Sequence, residues 1–189
     1  MDSALNGRLS GWKIVLSWLS GQRTDRDRVE QALSRGCLFI TNPHSREDIA
    51  MPVIDVYAPT GTFDDKHALA QELAQAIMRW EKVPAIPFFL DNTAAFVHEL
   101  DPDSLSTAGG SAGVRVNVTT NAGALDREQQ LGLVKEFTAL VAKAAGDPTL
   151  EERTWVALTE AVPGGWGIAG HAYTNEEIVQ HVRELLGKA

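Results

Sequence analysis

The feature that most constrains this chain is that it repeats itself. Sliding the sequence from residue 53 along itself by 62 positions lays Val56 on Val118, Gly61 on Gly123, Asp64 on Asp126 and Leu69 on Leu131. A repeat of that length is one strand–helix–strand unit, so the fold must accommodate two of them. In the first unit Val53 to Tyr57 alternates as a half-buried strand, and Thr62 is a plausible N-cap. Leu69, Leu73 and Ile77 form the buried stripe of a helix ending near Trp80, and Thr93 to Leu100 returns as a strand. In the second, Val114 to Thr119 is the strand, Leu133, Phe137, Leu140 and Ala144 share a helical face, and Thr154 to Thr159 returns. Asp64 and Asp126 suit helix starts, where the dipole favours an acid, and Trp80 and Trp155 read as core.

Asp101 to Gly113, rich in Gly, Ser, Asp and Ala, reads as a linker, and Thr174-Asn175-Glu176-Glu177 as a capping box before a short helix carrying Ile178, Val182 and Leu185. A long crossover between two strands of one sheet implies parallel pairing within each unit. Two such units give an α+β two-layer sandwich: a four-stranded mixed sheet with two helices on one face. The other face is left uncovered, and alternating strands such as Val114-Arg115-Val116-Asn117-Val118 offer it to something else, most simply neighbouring copies of the chain. A homo-oligomer is therefore expected.

Composition narrows the partners. The formal net charge of −8, with no run of Lys and Arg, argues against nucleic acid. Cys37 is the one cysteine, so no intramolecular disulfide can form, which suits the cytoplasm. No metal site is expected, because His44, His67, His98, His171 and His181 show no ligand-like spacing. His98, in an apolar strand, reads as structural. The apolar stretch Trp12 to Leu19 is too short to span a membrane, and no targeting segment is evident.

The chain changes character at residue 51. Met51-Pro52-Val53-Ile54-Asp55-Val56-Tyr57 reads like the beginning of a protein, since methionine before proline is readily removed and a strand follows at once. Just upstream, Arg46-Glu47-Asp48 can be encoded by a purine-rich run resembling a bacterial ribosome-binding site. Residues 1–51 are accordingly expected to be an extension, from a misplaced start or disordered, and 52–189 a single domain. Its units span about 52–105 and 113–171, and its C-terminal helix 175–187. The alternative is a real N-terminal helix with Val29, Leu33 and Cys37 on one stripe.

The Met-Pro-Val-Ile start, the tandem β-α-β repeat and Trp166-Gly167-Ile168-Ala169-Gly170 after the last long strand together resemble the tautomerase superfamily, over essentially all of Pro52 to His171. The resemblance is to its fused members, akin to oxalocrotonate tautomerase and macrophage migration inhibitory factor. It implies a trimer, a small-molecule substrate, no cofactor, and an amino-terminal proline as base. A terminal proline is a secondary amine with a lone pair, whereas an internal one is an amide. An ordinary α-amino group titrates at roughly 7.7–8.0, and an apolar pocket or nearby cation lowers that, yielding a base for moving protons α to a carbonyl.

Arg115, in the strand equivalent to the one that Pro52 begins, is the candidate to polarise a substrate oxygen; alternatively it lies along the sheet or pairs at a subunit contact. Asn92, before the first returning strand, falls where some members position substrate or water, though it also suits a plain turn. Trp166 falls where the family places an aromatic wall, though it also suits a Trp packed only in a subunit interface. Family arginines are missing: Thr62 and Ala124 stand at the turns, and Ala94 and Trp155 at the other family position. One arginine, an amine and an aromatic wall suit a singly charged or neutral keto–enol substrate, such as a phenylpyruvate-like 2-oxo acid, better than a dicarboxylate. The expected activity is cofactor-independent keto–enol tautomerisation. The alternatives are hydration, dehalogenation or decarboxylation of a small unsaturated acid, or a non-catalytic ligand-binding trimer if Pro52 is not terminal.

Overall fold

A computed structural model describes residues 51–187. The expected extension, apart from Met51, and the alternative helix through Val29, Leu33 and Cys37 lie outside the described residues. Ten elements follow one another: β1 (Val53–Pro59), α1 (Lys66–Trp80), α2 (Pro87–Leu90), β2 (Ala94–Leu100), β3 (Val114–Asn121), α3 (Arg127–Ala145), β4 (Thr154–Ala161), β5 (Trp166–Ile168), β6 (His171–Tyr173) and α4 (Asn175–Leu185). Short 3₁₀ turns lie at Pro102–Ser104, within the linker, and at Pro148–Glu152.

The four long strands form one sheet in the order β2-β1-β3-β4. β1 pairs parallel with β2 and β3 with β4, as the crossovers require, while β1 and β3 run antiparallel at the centre. The two units are thus related end for end. Ile54, Val56 and Ala58 on β1 and Val114, Val116 and Val118 on β3 turn to one face, where they pack with Leu69, Leu73 and Ile77 of α1 and Leu133, Phe137 and Val141 of α3. This is the α+β sandwich that the repeat predicts.

The details refine the repeat. Gly61 and Gly123 both adopt positive φ (83° and 78°), so the turn after each first strand is the same. Beyond it the second unit carries two more residues before its buried stripe begins. Leu131, the sequence match of Leu69, is 56% exposed, and Leu133 takes the core position. Asp65 rather than Thr62 or Asp64 caps α1, accepting from the Ala68 N–H at 2.9 Å. Asp126 caps α3 in a full capping box with Gln129. Trp80 is half-buried between the helices and donates its indole N–H to Glu136 at 2.7 Å. Its ring lies so close to Gly132 that a Cβ there would fall 2.0 Å from it.

Trp155 does not join the core. It is 45% exposed on the helix-free face of the sheet, where Phe96 is 51% exposed. His98 sits on β2 beside Phe96, bonded to Asp55 at 2.6 Å and stacked on Tyr57.

Candidate active site

Pro52 is buried at the start of β1, and the strand order sets its neighbours. The parallel register that pairs Val53 with Ala94 places Thr93 beside it, supported by the Ala94 N–H donating to the Pro52 carbonyl. The antiparallel register that pairs Val53 with Thr119 places Thr120 on its other side. Side chains alternate across a strand, so Thr93, Pro52 and Thr120 share the face of Ala95, Ile54 and Val118, the face that the helices cover.

Glu81 arrives on this face from the end of α1. It follows Leu69, Leu73 and Ile77 at the same spacing of four, which carries the buried stripe one turn further and forces a carboxyl inside, 2% exposed. Thr120 donates its hydroxyl to Glu81 Oε1 at 2.5 Å. Glu81 Oε2 has no partner, and neither has the buried Thr93 Oγ1. Burial pushes the Glu81 carboxyl up to about 8, against the smaller opposing effect of the Thr120 hydrogen bond. At neutral pH it is a protonated acid.

Next to this polar row lies an apolar cluster. Met51 is fully buried among Met78, Phe89, Ile178 and Val182, with Trp166, Ile168 and Tyr173 packed around them. Three segments build it. α2 begins with Pro87 in its first turn, where the missing N–H is no loss, and brings Phe89 inward. The β5–β6 hairpin turns through Ala169 and Gly170, both at positive φ (51° and 82°), as a tight two-residue turn of right twist demands. α4 starts at Thr174 in the predicted capping box with Glu177 and buries Ile178 and Val182, while Leu185 is exposed. A chain of amides ties α4 to the sheet. The Met51 N–H donates to Asn121 Oδ1 at 3.2 Å, Asn121 Nδ2 to Asn175 Oδ1 at 3.2 Å, and Asn175 Nδ2 to the Ala122 carbonyl at 2.9 Å.

Of the residues singled out from sequence, Pro52, Asn92 and Trp166 meet at one end of the sheet. Asn92 precedes Thr93, and its amide closes the turn after α2 by donating to the Phe88 carbonyl at 2.7 Å. Trp166 follows β4, whose C-terminal end lies with that of β3 beside Pro52. Arg115 is not brought to Pro52 within one chain. It pairs with Tyr57, five residues along β1, roughly 16 Å from Pro52 at the usual strand rise, and donates to Asn117 Oδ1 on the helix-free face. The end-for-end relation of the units is the reason: equivalence in the repeat sends a residue to the opposite end. Sequence reasoning passed over Glu81, Thr93, Thr120 and Asn121. Among the described residues no group of three or more His, Cys, Asp or Glu side chains could hold a metal, and no helix is long and apolar enough to cross a membrane.

No protein-family model matches the chain, and no curated protein matches it. Solved structures do. A fused 4-OT called Q0, a wild-type symmetric trimer, superposes with a TM-score of 0.56 at 22% identity over 66% of this chain and 97% of its own. N1, a member of the cis-3-chloroacrylic acid dehalogenase family, gives 0.54 at 21% identity over 72% and 99%. Pt0534, solved after inactivation by 2-oxo-3-pentynoate, gives 0.54 at 20% over 66% and 97%. These neighbours are tautomerase-superfamily members, and this chain has their fold.

Proposed function

We propose that this protein is a cofactor-independent keto–enol tautomerase in which Pro52 is the amino terminus and the proton-transferring base. The observation that carries the reading is the seat of Met51. It fills the apolar cluster directly against Pro52, so a chain that begins at Pro52 exchanges a methionine side chain for an open pocket and an amide for a secondary amine. The domain on this reading is 52–189, and residues 1–51 are dispensable to it.

In that pocket desolvation disfavours the prolinium, which favours the neutral amine as a base. Its lone pair takes a proton from the carbon next to the substrate carbonyl, and the oxygen gains one to give the enol. Asn121 Oδ1, which accepts from the Met51 N–H, is then placed to accept from the prolinium. Trp166, Phe89 and Tyr173 supply apolar and aromatic walls, which suits an aryl or alkyl 2-oxo acid with one carboxylate. Arg115 can serve such a carboxylate only across a subunit boundary, and the helix-free face bearing it, Phe96 and Trp155 is the surface on which copies would assemble, a trimer by analogy with the fused neighbours.

Intact mass and N-terminal sequence of the protein made in its own host test the reading first. A chain beginning at Pro52 should tautomerise phenylpyruvate, lose at least a hundredfold in kcat/KM on Pro52→Ala, on the scale of about 10²–10⁴ for a positioned base, and gain the mass of one 2-oxo-3-pentynoate. A chain that keeps Met51 and reacts with neither compound would sink it. The likeness to N1 supports a second reading, hydration or dehalogenation of a small unsaturated acid, which product mass distinguishes because tautomerisation conserves it. The close fit of Met51 in its cluster supports a third, a non-catalytic assembly plugged at this site.

A further inference from the structure

We propose that Glu81, with the Thr93 hydroxyl, is the acid half of this site: its Oε2–H protonates the substrate carbonyl oxygen while Pro52 removes the α-proton. The proposal rests on the tautomerase reading and assigns to the substrate oxygen a group that the reading leaves open.

Two buried polar atoms lack partners on the covered face of the sheet at this end, Glu81 Oε2 and Thr93 Oγ1. They belong to a single row, since Thr93 and Thr120 flank Pro52 on adjacent strands and Thr120 holds Glu81. A carboxyl taken out of water with one oxygen unpaired is unfavourable unless something fills the vacancy. The fold does not fill it. A carbonyl oxygen does, because it accepts from both hydroxyl groups while its α-carbon faces the proline nitrogen.

The other end of the sheet shows what the same architecture looks like without this task. There the equivalent of Thr93 is Thr154, with the same unpartnered hydroxyl, but Val114 stands for Pro52, Ala58 for Thr120 and Ala145 for Glu81. The hydroxyl alone recurs; the acid and the hydroxyl that holds it occur only beside the proline.

The step balances. The Pro52 lone pair takes the α-proton, the C–H electrons form the enol C=C, the carbonyl π electrons move to oxygen, and that oxygen takes the Glu81 proton. The prolinium proton then passes to the Glu81 carboxylate, and both groups are restored. No charged side chain acts appreciably on Glu81. Its protonation is governed by burial and by Thr120, while Arg79 nearby is engaged with Glu136 and Lys82 is exposed. Glu177, from α4, is held by Thr174 and His171. The Pro52 amine is the one titrating group that the reading adds.

The test is the pH profile of kcat/KM for phenylpyruvate, from about pH 5 to about pH 10, for the enzyme and for Glu81→Gln, which keeps the Thr120 bond and the shape. The enzyme should give a bell whose alkaline side falls near pH 8. Glu81→Gln should be at least tenfold slower at the optimum and lack the alkaline fall, with the acid side, set by Pro52, in place. An unchanged rate and an unchanged alkaline fall in Glu81→Gln overturn the proposal. If the enzyme itself does not turn over phenylpyruvate, the tautomerase reading has failed. Glu81 is then judged by infrared difference spectra against Glu81→Gln. A protonated-carboxyl band that moves when phenylpyruvate is added supports an oxygen-binding acid, and a band that is absent at neutral pH or indifferent to saturating phenylpyruvate overturns it.

Discussion

Replacing Glu81 by Gln should flatten the pH dependence of stability. Burial raises the carboxyl from its ordinary 4.5 to about 8 in the folded chain. Between those values the folded state holds a proton that the unfolded state has released. The stabilisation from this group is therefore complete below pH 4.5 and drains away as pH rises through about 8. The interval between 4.5 and about 8, at roughly 1.4 kcal/mol per pH unit, corresponds to about 5 kcal/mol. Gln cannot ionise, and its side-chain carbonyl still accepts from Thr120, so the variant keeps the contacts without the titration. Urea unfolding of both proteins at several pH values, at one fixed protein concentration because assembly adds its own stabilisation, gives the difference between them. The other carboxyls cancel in that difference. Glu81→Gln should gain on the parent by about 1.4 kcal/mol for each pH unit between about 5 and 8 and no further above that. Parallel curves, with a difference that stays within about 1 kcal/mol across the range, would refute the account of Glu81 as a buried neutral acid.

Other perturbations probe the frame around the site. Gly132→Ala puts a methyl group into the Trp80 ring, and should lower stability by about 1–3 kcal/mol through overpacking, read by urea unfolding. Thr174→Ala removes the capping box of α4 at about 1 kcal/mol, and its amide exchange should quicken in α4 and the β5–β6 hairpin while the four-stranded sheet is unaffected. Asn121→Ala leaves Asn175 Oδ1 without its donor, so a loss of about 1–3 kcal/mol is expected by the same assay. A double charge substitution on the helix-free face, Phe96→Glu with Trp155→Glu, should shift the protein to monomers in light scattering; an unchanged mass would place the subunit contact elsewhere.

Most of the architecture was legible because a duplicated strand–helix–strand pattern leaves few ways to build a sheet. The capping box at Thr174, the stripe of Leu69, Leu73 and Ile77, and the parallel pairs within each unit follow from local rules of spacing and crossover. What failed did so where tertiary position overrides type. Trp155 looked like core because it is large and apolar, yet strand alternation turns it to the uncovered face. Trp166 to Gly170, read from sequence only as a motif after the last long strand, is most of a hairpin, since three-residue strands are too short to register as alternation. Arg115 is a different case: its sequence equivalence to the proline strand carries no information about direction, so its part in the site depends on a neighbouring copy. Glu81 did leave a signal: a stripe at 69, 73 and 77 continues to 81, so a carboxylic acid falls on a buried stripe.

The end-for-end arrangement of the two units has a stoichiometric consequence. Two separate single-unit chains would each begin with their own residue and so could each present a free amine, one at either end of the shared sheet. Joined through residues 101–113, the second unit has no beginning. Val114, the counterpart of Pro52, is an ordinary peptide nitrogen committed to the Arg153 carbonyl at 3.0 Å. With Pro52 as the terminus, as proposed, this leaves one place per polypeptide for chemistry at a free amine, and the far end carries Ala58, Ala145 and Val114 instead. On the proposed reading 2-oxo-3-pentynoate, unlike a general amine reagent that also meets the lysines, should add one equivalent per polypeptide, however many polypeptides assemble.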